Sequence, residues 1–386
     1  MLKNLNITYL AAGISTIIAK ARQRYIVVAL GGLILGGFGV LMSTWVLSIV
    51  NGAALNTSAI SGLKLVRELP TAGPISTVLW NSDGSALAAV DLPPIPSKAL
   101  IRIQSPYGSS VTIWSADGHV LRNLSRPEAF FVAGDKLAFV AGDKQLAVPP
   151  LLSSSSLGFS VFDIETGSVA REFAGPLVDK PRYYNRAKLL VASPDQSLLA
   201  VAFPGAQPVA LYSTTNWSKL AEIPERGVAG EIAPTALAFS HDGRFLAIGR
   251  LKFIIVYDIH SKQIVSRFEV PVNGAFIRDV AFSPDGSMVA VATVTMGIFS
   301  LDGGSLLSSY SDQHFDIDAA AWSPDGRFIV FLTGYRQIRI WTPLSAGASD
   351  QTITLDDWAG SLDLSRDSKK LAINVGQHAS IFSITP

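Results

Sequence analysis

Residues 279–300 read Asp-Val-Ala-Phe-Ser-Pro-Asp-Gly-Ser-Met-Val-Ala-Val-Ala-Thr-Val-Thr-Met-Gly-Ile-Phe-Ser. Two short apolar runs flank the turn Ser283-Pro-Asp-Gly286, a third run leads to Phe299, and Ser305-Leu-Leu-Ser-Ser-Tyr310 supplies a fourth. Runs this short, bounded by turn residues, read as strands. Proline presets φ for a turn, aspartate bonds back to the local backbone, and glycine accepts the positive φ that closes a hairpin. The stretch therefore predicts one unit of four antiparallel strands, a to d, with the tight turn between a and b.

The unit recurs along the chain. Asn81-Ser-Asp-Gly84 is followed by Ser193-Pro-Asp-Gln196, Ser240-His-Asp-Gly243, the opening turn, Ser323-Pro-Asp-Gly326 and Ser365-Arg-Asp-Ser368. A degenerate copy is read at Ala133-Gly-Asp-Lys136, so that the turn aspartates are Asp83, Asp135, Asp195, Asp242, Asp285, Asp325 and Asp367. Their spacings are 52, 60, 47, 43, 40 and 42 residues, and the later ones match the ~40–45 residues of a four-stranded propeller blade. Strand c carries an aromatic at one fixed place, namely Trp114, Phe162, Tyr212, Tyr257, Phe299, Trp341 and Phe382. Seven aromatics at equivalent positions predict packing between blades.

These residues resemble WD40-type repeats. Ile338-Arg-Ile-Trp341, Phe162-Asp163 and Tyr257-Asp258 stand where that family has its Trp-Asp pair, and the SPDG turn stands where it passes from a to b. The resemblance covers roughly residues 63–386. It departs from the family in lacking the Gly-His pair before strand a, and the turn grammar is also similar to TolB-like and lactonase-like bacterial propellers. The implied fold is all-β, a seven-bladed β-propeller of four-stranded blades. Residues 379–384 supply only a third strand to the last unit, and Leu63-Lys-Leu-Val-Arg-Glu-Leu69 is a spare strand ahead of the first. Pairing the two closes the ring and removes its free ends.

Ahead of the propeller, Tyr25–Val50 contains 26 residues without a charge, more than the ~20 needed to cross a bilayer core. One transmembrane α-helix is expected there. Lys3, Lys20, Arg22 and Arg24 precede it with no acidic residue in the first 50, so the N-terminus is read as cytoplasmic. A cleaved signal peptide is the rival, with Gly52-Ala53-Ala54 as its small-residue site, but its apolar core runs to only ~7–15 residues. Residues 1–24 then form a cytoplasmic segment with an interfacial helix, 25–50 the span, 51–62 a linker and 63–386 the propeller. Gly32-x-x-x-Gly36 would let two such helices approach and dimerise.

The chain of 386 residues carries 31 basic and 30 acidic side chains, a net charge of +1. That balance speaks against nucleic acid as a partner. The mean hydropathy of +0.35 agrees with a membrane segment. There is no cysteine, which excludes disulfides, thiolate metal sites and thiol nucleophiles.

The long connections, 91–110 and 141–158 (b–c) and 174–188 (d–a), all belong to the face bearing b–c and d–a loops. Within them Tyr107, Lys180, Arg182, Tyr183, Tyr184 and Arg186 form the candidate partner-binding patch, because tyrosine and arginine dominate interface energetics. The linker enters strand d from the opposite, turn-bearing face, so the elaborated face is expected to point away from the membrane. No phosphate loop, HExxH or GxSxG occurs, and no catalytic residue, metal ligand or cofactor is assigned. His119, His241, His260, His314 and His378 are scattered, and His314 with Asp312, Asp316 and Asp318 reads as a solvated loop. The expected function is a membrane-anchored protein-interaction scaffold in a bacterial inner membrane, its propeller periplasmic within an envelope complex. The alternatives are a propeller enzyme, either a lactonase-like hydrolase or a quinone- or metal-dependent dehydrogenase with ionisable groups at the channel mouth, and a periplasmic ligand sensor.

Overall fold

The computed structural model describes residues 62–71, 73–91, 110–125, 135–149, 157–176, 187–205, 207–223, 233–271, 276–311, 316–334, 336–343 and 350–384. The chain divides into two units, 1–56 and 57–386, and every described residue belongs to the second. Tyr25–Val50 and the Gly32/Gly36 pair lie outside the described residues. Among those described, no helix is long and apolar enough to cross a membrane.

The described chain is all strand and turn. After β1 (Leu63–Pro70), blade 1 is β2 (Ile75–Trp80), β3 (Ala86–Asp91), β4 (Ser110–Ser115) and β5 (Val120–Ser125). Blade 2 is β6 (Ala138–Val140), β7 (Gln145–Val148), β8 (Leu157–Asp163) and β9 (Val169–Ala174). Blade 3 is β10 (Leu189–Ala192), β11 (Leu198–Ala202), β12 (Val209–Ser213) and β13 (Lys219–Ile223). Blade 4 is β14 (Ala236–Phe239), β15 (Phe245–Arg250), β16 (Phe253–Asp258) and β17 (Gln263–Glu269). Blade 5 is β18 (Asp279–Phe282), β19 (Met288–Ala292), β20 (Met296–Ser300) and β21 (Leu306–Tyr310). Blade 6 is β22 (Ile317–Trp322), β23 (Ile329–Thr333), β24 (Gln337–Trp341) and β25 (Asp350–Thr354). Blade 7 joins β26 (Leu362–Leu364), β27 (Lys370–Val375) and β28 (His378–Ile384) to β1. The antiparallel β1–β28 register runs from Leu63 opposite Ile384 to Pro70 opposite His378, so the ring closes as the spare strand predicts.

The turn explains the repeat chemically. Ser283 Oγ donates to Asp285 Oδ1 (2.5 Å) and accepts the Met288 N–H (3.0 Å), while Asp285 Oδ1 accepts the Ser287 N–H (3.1 Å). Gly286, at φ 70°, donates its N–H to the Ser283 carbonyl (2.9 Å). Ser193, Ser240, Ser323 and Ser365 repeat the serine–aspartate bond. Gln196 and Ser368 hold the glycine position at φ 59°, where a residue with a Cβ is strained by about 1–2 kcal/mol.

Blade 2 corrects the reading of the degenerate turn. Its a–b turn is Ala141-Gly-Asp-Lys144, between β6 and β7, and Asp143 rather than Asp135 stands in the repeat. Asp135 instead precedes the inner strand, buried, and its carbonyl accepts the Thr77 hydroxyl (2.8 Å). The connection read as 141–158 accordingly shortens, because Gln145–Val148 is strand b. Asp143 also links three blades on the turn face. It accepts the N–H (3.1 Å) and hydroxyl (2.5 Å) of Ser82 in blade 1, and exchanges bonds with the side chain of Gln196 in blade 3.

Strands b and c are covered on both sides by neighbouring blades, which is why runs such as Ala86-Leu-Ala-Ala-Val90 are apolar without alternation. Ala88, Val90 and Ile113 of blade 1 pack on Leu137, Phe139, Leu146 and Phe162 of blade 2. Six of the strand c aromatics are buried, Trp114, Phe162, Tyr257, Phe299, Trp341 and Phe382, and Tyr212 is half-buried.

Outer strands repeat one further device. Opposite or just past the aromatic, strand d carries a bulged residue: Val66, Leu121, Ala170, Leu220, Val265 and Leu307 in blades 7, 1, 2, 3, 4 and 5. In blade 6 β24 and β25 pair without a shift over five consecutive residues. The junction of blades 7 and 1 is densely bonded. The N–H groups of Val78 and Trp80 donate to Ser361 Oγ (3.2 Å) and Asp363 Oδ2 (2.7 Å), and Asn374 Nδ2 donates to the Ile75 carbonyl (2.9 Å).

Candidate functional site

Inner strands begin on the b–c/d–a face, so the residues at their starts rim the channel there. Lys136 precedes β6, Arg278 precedes β18, Asp279 opens it, and Asp316 and Asp318 stand at the start of β22. Lys136 Nζ contacts Asp279 Oδ1 at 2.7 Å, joining blades 2 and 5 from opposite sides of the ring. The second carboxylate oxygen of Asp279 accepts the Ala320 N–H in blade 6 (3.2 Å). Arg278 bonds Asp318 Oδ1 (3.0 Å) and also Asp316.

Asp318 sits at a bulge, between the pairs Ile317–Thr333 and Ala319–Leu332. The bulge frees its side chain from the alternation of the strand. Burial pushes its carboxyl up to about 6, Arg278 opposing and Asp316 adding to the rise. Its Oδ2 is buried without a hydrogen-bond partner. Deeper in the channel, Asp363 on β26 is pushed up to about 7, chiefly by burial, against the Trp80 N–H bond and the nearby Lys136 charge.

Two apolar side chains stand on the same face as these ionisable groups. Phe276 is 53% exposed and Val294 37% exposed. Phe276 lies two residues before Arg278, and the Arg278 N–H donates to the Ala292 carbonyl beside the turn that holds Val294 (2.9 Å). An exposed aromatic next to an arginine on a rigid rim is the composition of an interface anchor. Chemically the rim can hold a mixed apolar and charged partner surface. Among the described residues no three His, Cys, Asp or Glu side chains are placed to hold a metal ion.

The sequence-predicted patch, Tyr107, Lys180, Arg182, Tyr183, Tyr184 and Arg186, lies outside the described residues, as do Asp312 and His314. Among the other histidines, His119 lies in a c–d turn beside Asp117 (3.6 Å), His241 and His260 in turns of blade 4, and His378 opens β28. Asp316 and Asp318 are joined to Arg278. The channel residues Lys136, Asp279 and Asp363 were not singled out by the sequence, because their meeting depends on ring closure.

Fold, turn chemistry and closure define a WD40-like β-propeller. No family model matches the chain. It is similar to WD repeat-containing protein 1 of mouse, 26% identical over 146 residues, which is 31% of this chain and 24% of that protein. It is also similar to WD repeat-containing protein SL1-17 of Schistosoma mansoni, 29% identical over 117 residues, 29% of this chain and 38% of that protein. The chain thus matches well under half the length of either relative.

Proposed function

We propose that this chain is a membrane-anchored scaffold, whose propeller presents its b–c/d–a face to a protein partner. The propeller and its WD-repeat relatives support a protein-interaction role, and the Phe276/Arg278 rim is the observation that carries the choice of face. The uncharged Tyr25–Val50 segment, behind four basic residues, supports an anchor with the propeller on the non-cytoplasmic side, in an envelope complex. In this reading Tyr107, Lys180, Arg182, Tyr183, Tyr184 and Arg186 extend the surface, and Gly32 and Gly36 bring two anchors together.

Mild crosslinking in native membranes, detergent solubilisation and purification through a C-terminal tag test it. The wild type should bring down a stoichiometric partner that both Phe276→Ala and Tyr183→Ala/Tyr184→Ala lose. A chain recovered alone would overturn the scaffold. The raised carboxyls of Asp318 and Asp363 in one channel favour a second reading, acid–base chemistry on the same fold. Under it, Asp363→Asn would abolish turnover of a lactone or ester panel and leave partner recovery unchanged.

A further inference from the structure

Among the described residues, each of the seven outer strands leaves one backbone edge without a sheet partner. Such an edge is a template for another chain, and proteins blunt it with bulges, cations or proline. Six of the seven are blunted by the bulge opposite the aromatic. Five of those six also carry cations: Lys64 and Arg67 on β1, Arg122 on β5, Arg171 on β9, Lys219 on β13 and Arg267 on β17. β21 relies on its bulge alone.

β25 has neither protection. Asp350-Gln-Thr-Ile-Thr354 contains no lysine, arginine or proline, and pairs with β24 in unbroken register. It is therefore flat and regular along its free side, the geometry that strand addition needs. Beyond it the chain reaches the exposed Asp356 and Asp357, so the C-terminal end of the edge is negative. Arg336 is turned to the backbone there, donating to the carbonyls of Leu355 (3.2 Å) and Asp356.

We propose that β25 docks an extended segment of a partner protein as the fifth strand of blade 6. Backbone hydrogen bonds hold it, uncharged β-branched residues lie along Gln351–Thr354, and lysine or arginine at its N-terminal end meets Asp356 and Asp357 in an antiparallel match. This edge is on the circumference, separate from the channel rim.

The test uses the full-length chain in detergent micelles and a fluorescein-labelled peptide, Lys-Lys-Val-Thr-Val-Thr-Val, read by anisotropy. A twin peptide with alternate amides N-methylated keeps the side chains and loses the strand hydrogen bonds. The expected result is at least tenfold tighter binding of the unmodified peptide, weakened at least tenfold by Gln351→Lys or Thr354→Lys. Leu121→Lys on a bulged edge should change nothing, and the amides of 351–354 should exchange more slowly when peptide is bound. Equal binding of the two peptides, no binding, or binding indifferent to both β25 variants would overturn the proposal. So would concentration-dependent protection of those amides without peptide, which would make the edge a contact between copies. Using two variants, checked for native near-ultraviolet circular dichroism, separates loss of the edge from loss of the fold.

Discussion

Lys136 and Asp279 are separated by 143 residues and joined by a 2.7 Å ion pair across the channel. Asp279 is nearly buried while Lys136 keeps about a third of its side chain exposed. Removing the lysine therefore leaves a carboxylate with little water to replace it. Lys136→Met is expected to destabilise the propeller by about 1–3 kcal/mol, below the full cost for a buried pair because of that exposure. Lys136→Met/Asp279→Asn should recover part of the loss. Urea unfolding of the four proteins of the cycle measures it, and a coupling of zero would mean that the contact contributes nothing.

The two non-glycine residues at the glycine position of the turn should respond oppositely to glycine. Ser368→Gly relieves the positive φ and is expected to stabilise by about 0.5–1 kcal/mol, less than the full strain because glycine also gains unfolded-state entropy. Gln196→Gly relieves the same strain but deletes both bonds to Asp143. It should be neutral or destabilising by about 1 kcal/mol. Thermal denaturation of the two variants checks the opposition.

Acid and neutral pH act on different carboxylates. Asp363 and Asp318 have raised values, about 7 and about 6, so the folded state takes up their protons first. Their contribution is full below the unfolded value near 4 and is lost as pH rises through 6 and 7. Hydrogen bonds from Ser85 and from Ser283 hold the turn residues Asp83 and Asp285 below the ordinary carboxylate range. Their contribution is present at neutral pH and is lost as pH falls below about 4. Stability should thus peak near pH 4 and fall between about pH 4 and 7, the window between the unfolded and folded values. Asp363→Asn should flatten the decline between about pH 4 and 7 without moving the acid limb.

Closure and bulge can be separated on one strand. Leu69 of β1 is buried, while Val66, on the bulge of the same strand, is 57% exposed. Leu69→Ala is expected to cost about 2–5 kcal/mol, and Val66→Lys less than about 0.5 kcal/mol. Equal losses would show that the bulge side chain is structural.

Sequence periodicity revealed blade number, most turn positions and the shared seventh blade, because the Ser-x-Asp bonds are local and recur in blades 3 to 7. Blade 2 shows where such reading fails. Val-Ala-Gly-Asp-Lys occurs twice, at 132–136 and 140–144, and the turn alone does not choose between the copies. The strand c aromatic does not choose either, since Phe162 follows Asp143 by 19 residues and Asp135 by 27, against 14–17 in blades 3 to 7 but 31 in blade 1. The channel pairs were illegible, since which inner-strand side chains meet depends on how seven sheets close. Bulges were hidden too, because an extra residue shows only when its partner strand is known.

The shared seventh blade sets a timetable for synthesis. Lys64 waits for Ser383, 319 residues later, and at about 5–20 residues per second that is roughly a quarter of a minute to a minute. Through that interval β1 is an orphan strand on the nascent chain, where Lys64, Arg67 and Glu68 keep it from seeking the wrong neighbour. Among the described strands the first made is the last to find its place.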